Sequence, residues 1–309
     1  MGVREFYQPR SVHEALELLG RAPEETRVVA GGTDLFLQLR RGDVRSAYLV
    51  DVAEIAEMTY IREEPDLIRV GAGTLVADLA GSEVLRRYAS ALAESAAVLG
   101  SPQIRNRATI GGNLGRSSPA ADCVCALMAL DAAILVQSTS GTREIPIGSF
   151  LLGPGQNALV PGELVLEVRI PRPGGRHGSR FIKLGRRKAL VLATASAAAH
   201  LELGPDWTVV KCGLALGSVG PVTVRARTAE DLLRGKVLSP EAIQAAAEEA
   251  AREASPISDV RGSAEYRRAV IPVLVARALE EARARARETQ TRARDTEVQA
   301  ARETGADRG

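Results

Sequence analysis

The stretch Ala108-Thr109-Ile110-Gly111-Gly112-Asn113-Leu114, followed by Ser117-Ser118-Pro119-Ala120-Ala121-Asp122, decides how this chain is read. Adjacent glycines let backbone approach a ligand closely, because no Cβ intervenes and positive φ is accessible. Thr109 and Asn113 add side-chain donors and acceptors, and Asp122 adds a carboxylate. An earlier segment, Val28-Val29-Ala30-Gly31-Gly32-Thr33-Asp34-Leu35, has the same form. There an apolar strand empties into a Gly-Gly turn bearing a hydroxyl and an acid. A single Gly-Gly turn is most often only a tight turn. Two of them, each leaving an apolar strand, predict two loops converging on one polar, extended ligand. A dinucleotide pyrophosphate fits that description, with backbone N–H groups forming a concave nest for it. Acids are poor phosphate neighbours, so Asp34 is read as the cap of the short helix that follows it. Asp122 either accepts hydrogen bonds from ligand hydroxyls or caps its own helix.

Composition narrows the setting. The chain has 309 residues, enough for two or three domains and a full core. A formal net charge of +2 and 3% aromatic residues give no footprint for nucleic acid. No apolar run reaches the roughly eighteen residues of a membrane span. The opening MGVREFYQPR lacks the apolar core of a secretory signal, so the cytoplasm is the expected location. Cys123, Cys125 and Cys212 are too few to hold an iron–sulfur cluster by four thiolates. Cys123 and Cys125 lie in an Ala/Leu/Met-rich stretch that reads as a buried helix, where free cysteine behaves as a small hydrophobe. No zinc-type spacing occurs, and no metal site is expected.

Along the chain, residues 1 to about 55 alternate helix and strand, with Ser11 placed to cap the first helix. Strands dominate from about Glu57. Gly71-Ala72-Gly73-Thr74 follows a strand, but Val76 stands where a dinucleotide fingerprint needs its third glycine. A helix is expected over Ser82 to Leu99. Pro171 to Gly178, with three glycines and two prolines, reads as a linker. Beyond it, Ala193 to Leu203 and Trp207 to Val219 read as strands, and helices follow over 240–254 and from Ser263 to about 284. Pro272 should kink or split the last helix. The segment 285–309 is charged, almost free of large apolar residues, and reads as a disordered or transiently helical tail.

The two loops in this order, with Ser101-Pro102-Gln103-Ile104-Arg105-Asn106, Pro119-Ala120-Ala121-Asp122 and Lys183-Leu184-Gly185-Arg186-Arg187, resemble a known family. It is the FAD-binding medium subunit of the molybdenum hydroxylases, which include xanthine, carbon monoxide, aldehyde and nicotinate dehydrogenases. The match runs from Tyr7-Gln8-Pro9 to about Ala284. The resemblance implies an α+β fold. A two-subdomain FAD-binding domain of the PCMH/vanillyl-alcohol-oxidase-like type would cover 1–173, divided near residue 55. A small α+β domain of antiparallel sheet plus helices would cover 178–284.

By resemblance, the FAD contacts are Ala30, Gly31, Gly32, Thr33, Asp34, Leu35, Thr109, Ile110, Gly111, Gly112, Asn113, Asp122, Val165 and Lys183. Read without the resemblance, Lys183 belongs to a solvated basic turn, Phe181 to Lys188. Arg105 and Arg107 are taken as loop-structuring or interface residues. No catalytic acid, base or nucleophile is required, since the flavin carries the redox chemistry. The resemblance also implies partners: a small subunit with 2Fe–2S clusters and a large subunit with a molybdenum–pterin cofactor, joined as a dimer of heterotrimers. Electrons would leave through the flavin to NAD, a quinone or oxygen. The cysteine count argues against the benzoyl-CoA-reductase subgroup, which carries a further cluster in this subunit. Two other readings stand beside this one. The first is a stand-alone flavin oxidoreductase of the vanillyl-alcohol-oxidase type, which needs its own base; His13, His177 and His200 sit in no pocket motif. The second is a non-enzymatic scaffold in which the Gly-Gly loops are only turns.

Overall fold

Ser11 leaves extended backbone and its Oγ accepts a hydrogen bond from the Glu14 N–H at 3.2 Å, starting the first helix as its sequence demands. The computed structural model describes residues 3–187 and 190–306, with side chains described through Thr289. The first unit comprises β1 (Glu5–Tyr7), α1 (Val12–Arg21), β2 (Thr26–Val29), α2 (Leu35–Arg41) and β3 (Tyr48–Asp51). Its three strands are parallel in the order β1-β3-β2. Ala15, Leu16, Leu18 and Leu19 form the buried stripe of α1. The carboxyl end of β2 opens directly into the first Gly-Gly loop, the place where parallel strands usually present ligands.

The second unit begins with β4 (Ile61–Glu63), β5 (Leu67–Gly71), α3 (Val76–Gly81), α4 (Glu83–Tyr88) and α5 (Ser90–Ala97). It continues with α6 (Pro102–Arg105), α7 (Ile110–Arg116), α8 (Asp122–Ala129), β6 (Ala133–Ser138), β7 (Gly141–Pro146) and α9 (Ile147–Phe150). A short hairpin, β8 (Leu151–Gly153) and β9 (Gln156–Asn157), precedes β10 (Leu164–Pro171). The antiparallel sheet has the order β4-β5-β10-β6-β7. The single helix expected over Ser82 to Leu99 is two, because Ala89 leaves helical geometry at φ −138°. A distant strand restarts it: Ser90 Oγ donates to the Ser179 carbonyl at 2.6 Å and Ala91 N–H donates to Ser179 Oγ at 3.0 Å. No local signal could announce that contact.

The third unit contains β11 (Arg176–Leu184), β12 (Ala195–Leu203), β13 (Val209–Gly217), β14 (Val224–Arg225), α10 (Arg227–Leu233), α11 (Pro240–Glu253) and α12 (Ala264–Ala306). Its sheet is antiparallel in chain order. Alternate residues point to opposite faces. Phe181, Ala198 and Ala215 join the core of the second unit, whereas Ala197, Ala199, Leu214 and Leu216 form a separate core under the C-terminal helices. The small residues of β12 let both layers come close.

Three expectations are corrected here. The glycine- and proline-rich linker is shorter than Pro171 to Gly178, because β10 ends at Pro171 and β11 already starts at Arg176. Gly178 serves packing and not chain reversal: a Cβ there would collide with the Ala282 carbonyl and lie 2.8 Å from Ala286 N. Pro272 lies inside α12 without splitting it. The charged segment from residue 285 does not leave the fold at that point. Ala286 is fully buried, and Arg285 Nη1 donates to the Ser179 carbonyl at 2.6 Å and to Ser90 Oγ at 3.0 Å. The rest of that segment is helical as far as Ala306, and residues 307–309 lie outside the described residues.

Candidate functional site

The two Gly-Gly loops meet. A Cβ on Gly31 would collide with the Arg107 carbonyl and lie 2.9 Å from Ala108 Cα, so only glycine allows the first loop to rest on the second. The second loop is braced in turn by the segment after β5. Ile110 N–H donates to the Thr74 carbonyl at 3.1 Å and Gly111 N–H to the Ala72 carbonyl at 2.9 Å. A Cβ on Gly111 would lie 2.8 Å from both Ala72 Cβ and Ala72 O. Gly71-Ala72-Gly73-Thr74, which lacks the third glycine of a dinucleotide fingerprint, is this brace.

Between the loops lies a cavity of roughly 840 Å³. Ala30, Gly31, Gly32, Thr33, Asp34 and Leu35 line it from one side, and Thr109, Gly111, Gly112, Asn113 and Val165 from the other. Of the sequence-derived site residues, Ile110, Asp122 and Lys183 do not line it. Ile110 is fully buried, with its side chain in the core shared by the first and second units. The opposite wall was missed in the sequence. It is formed by Gly155, Gln156 and Asn157 at the β8–β9 turn and by Val160 to Leu164, and Leu99, Ile104 and Arg116 also line the cavity. The turn chemistry of Pro154-Gly155 was the available signal.

The loops differ in what they offer. In the second, every amide from Ile110 to Asn113 is already used: Gly112 N–H donates to Thr109 Oγ1 at 3.0 Å and Asn113 N–H to the Thr109 carbonyl at 3.0 Å. In the first, the N–H groups of Gly31, Gly32, Thr33 and Asp34 donate to no acceptor among the described residues. The anion nest is therefore one-sided. The second loop supplies shape and side chains, and Asn113 Oδ1 is buried without a hydrogen-bond partner. An unsatisfied acceptor and four uncommitted donors on residues lining one cavity are what a polar ligand would complete.

Asp34 occupies the N-cap position of α2, but its side chain makes no capping hydrogen bond, against the sequence expectation. Its carboxylate faces Arg116, with Oδ1 3.9 Å from Nε. Asp122 is not a cap either, because Ala121 holds that position. Lys183, near the end of β11 and not in a solvated turn, donates from Nζ to Asp122 Oδ2 at 2.6 Å and to the Val98 carbonyl at 3.2 Å. Both side chains are under a tenth exposed. Burial pushes the Asp122 carboxyl up to about 6, with Lys183 pulling against it. Asp122 Oδ1 is buried without a partner. Val98 adjoins Leu99, which lines the cavity. Arg105 is a loop-structuring residue, donating from Nη1 to the Leu99 carbonyl at 3.1 Å. Lys188, the end of the basic segment, lies outside the described residues.

The three thiols are buried and free, and burial pushes Cys123 and Cys125 each up to about 12. Such thiols are inert packing groups. Among the described residues no helix is long and apolar enough to cross a membrane.

Two family models match this chain: the FAD binding domain in molybdopterin dehydrogenase over residues 2–173, and the CO dehydrogenase flavoprotein C-terminal domain over residues 180–282. The carbon monoxide dehydrogenase medium chain of Hydrogenophaga pseudoflava is 34% identical over 281 residues, covering 91% of this chain and 97% of that protein. The 6-hydroxypseudooxynicotine dehydrogenase complex subunit alpha of Paenarthrobacter nicotinovorans is 35% identical over 280 residues, covering 91% and 94%. Among solved structures, the carbon monoxide dehydrogenase from Hydrogenophaga pseudoflava which lacks the Mo-pyranopterin moiety of the molybdenum cofactor superposes with a TM-score of 0.87. That match covers 92% of this chain and 98% of the other at 34% identity. With both halves of the chain matched, and a cavity whose uncommitted polar groups suit a dinucleotide, the chain belongs to the FAD-binding medium subunits of the molybdenum hydroxylase family.

Proposed function

We propose that this chain is the electron outlet of a molybdenum hydroxylase complex. In this reading a large subunit carries the molybdenum–pterin cofactor and a small subunit carries the 2Fe–2S clusters. The three subunits assemble as a dimer of heterotrimers in the cytoplasm. Electrons cross the clusters to FAD on this chain and pass to NAD, a quinone or oxygen. FAD, when bound, supplies the redox chemistry that couples cluster to acceptor. The protein's share is to bind and orient it. Gly31 to Asp34 would offer amides to the diphosphate, and Asn113 Oδ1 and Asp122 Oδ1 would accept hydrogen bonds from ligand donors. Lys183 would hold Asp122 in place while adding a buried positive charge. Ala30, Leu35, Thr109, Gly111, Gly112 and Val165 would shape the cavity, and Ile110 would fix the second loop from the core.

The observation that carries this reading is that Asn113, whose Oδ1 has no hydrogen-bond partner, lines one cavity together with the uncommitted amides of the first loop. Assigning the clusters to another chain is supported by the three cysteines, whose thiols pack as apolar side chains. Co-purification of this chain with its genomic neighbours, followed by visible spectroscopy and identification of the released cofactor, tests the proposal. Stoichiometric FAD, with iron–sulfur absorption only when partners are present, is expected. Clusters and molybdenum in a complex that lacks flavin would overturn it.

A further inference from the structure

Arg116 ends α7 and reaches into the cavity between three separate pieces of chain. On one side is Asp34 of the first loop, with 3.9 Å between Nε and Oδ1. On the other is the β8–β9 turn, where a Cβ on Gly155 would lie 3.3 Å from Arg116 Nη1. The bare Gly155 backbone thus makes room for the guanidinium. This turn is tied to the end of α7: Gly155 N–H donates to the Ser117 carbonyl at 3.0 Å and Asn157 Nδ2 donates to the Gly115 carbonyl at 3.0 Å. The guanidinium therefore lies at the junction of both walls.

Its donors are not committed there. Among the described residues the Arg116 guanidinium makes no hydrogen bond, and 3.9 Å to Asp34 is an ion pair without one. Arg27, the other basic side chain lining the cavity, is engaged with the carbonyls of Thr26 at 3.0 Å and Glu24 at 3.4 Å. Charge makes the need for Arg116 concrete. A diphosphate on the amides of Gly31 to Asp34 would bring its negative charges beside the Asp34 carboxylate. Amides carry only partial charges, so a full cation beside them would offset that repulsion further. A planar guanidinium can face a carboxylate with one edge and a phosphate with another.

We propose that Arg116 is the side-chain cation for the diphosphate of FAD, shared with Asp34, and that it selects phosphate-bearing flavins. The inference rests on the reading of this cavity as the FAD site. The full chain, freed of flavin, is titrated with FAD and with riboflavin as wild type, Arg116→Gln and Arg116→Lys. FAD titrations are repeated at low and high salt. Arg116→Gln should weaken FAD by about ten- to a hundred-fold, the range for a lost charge-assisted hydrogen bond. Riboflavin should be unaffected, the salt sensitivity of FAD binding should fall, and Arg116→Lys should recover part of the loss. FAD affinity within twofold of wild type in Arg116→Gln, or a parallel loss for riboflavin, would overturn the inference while leaving the cavity assignment intact. Failure of the wild-type chain to take up FAD would overturn the cavity assignment and this inference with it.

Discussion

At Gly111 the missing Cβ serves the protein more than the ligand, since the nearest atoms to it belong to Ala72 at 2.8 Å. Gly111→Val should therefore destabilise the fold by about 1–3 kcal/mol, as overpacking does, visible as a lower urea midpoint. Gly112 differs: beyond its chain neighbours and the backbone of its own helix, its Cβ would meet Thr109 Oγ1 at 3.1 Å. Gly112→Val should keep nearly native stability and lose FAD, and a variant that retains full FAD occupancy would remove that glycine from the site. Asp122 adds a pH signature. Its folded value of about 6 lies above the ordinary carboxylate value of 3.8, so folding takes up a proton between the two. The stability it contributes is complete below about pH 4 and is lost as pH rises through about 6. Asp122→Asn should remove this dependence, narrowing the pH 4 to 6.5 stability change by up to about 2–3 kcal/mol. Identical urea midpoint profiles in wild type and variant would contradict it. The variant should also bind FAD more weakly, having exchanged an acceptor for a donor beside Lys183.

At the scale of elements, the strands and helices that sequence reveals are those whose pattern is local. The stripe of α1, its Ser11 cap, the apolar runs of β5, β10, β12 and β13, and the first Gly-Gly turn are legible because their signals are local. Gly111 and Gly112, expected as a second turn after a strand, lie instead in the first turn of α7, which follows α6. The elements that escape notice depend on distant partners. Lys183 looks like part of a basic turn, yet pairing with β12 makes it strand and Asp122 makes it buried. The Ala89 break is imposed by Ser179, and the hairpin wall of the cavity is only two and three residues per strand. The start of the C-terminal segment escapes notice for the same reason. Composition marks residue 285 as solvent-facing, but Arg285 satisfies Ser90, Ser179 and Glu94 from across the sheet. Arg285→Ala should consequently cost about 1–3 kcal/mol, the range for charged hydrogen bonds within a network. A variant with an unchanged thermal midpoint would return that residue to the tail.

Across the whole molecule, the site is split between units that cannot be separated cheaply. Asp122 comes from α8 and Lys183 from β11, and the carbonyl of Ala129 at the end of α8 packs where a Cβ on Gly213 would stand. Arg225 extends this seam, with its guanidinium on the Met128 carbonyl and on Asp131 at 2.7 Å. The first two units alone contain every cavity-lining residue. A chain ending at Pro173 therefore isolates what the third unit contributes. Such a chain would expose the apolar surface of α5 and α8 that now faces Phe181, Ala198 and Ala215. It would also leave Asp122 buried at one edge without its cation. Exposed apolar patches of this kind drive association, so the truncated chain should aggregate or bind FAD much more weakly than the whole. Adding the separate fragment from residue 174 onward should restore solubility and flavin binding together, because one seam governs both. If the truncated chain were monomeric and bound FAD as tightly as the intact protein, the third unit would have no part in holding the flavin.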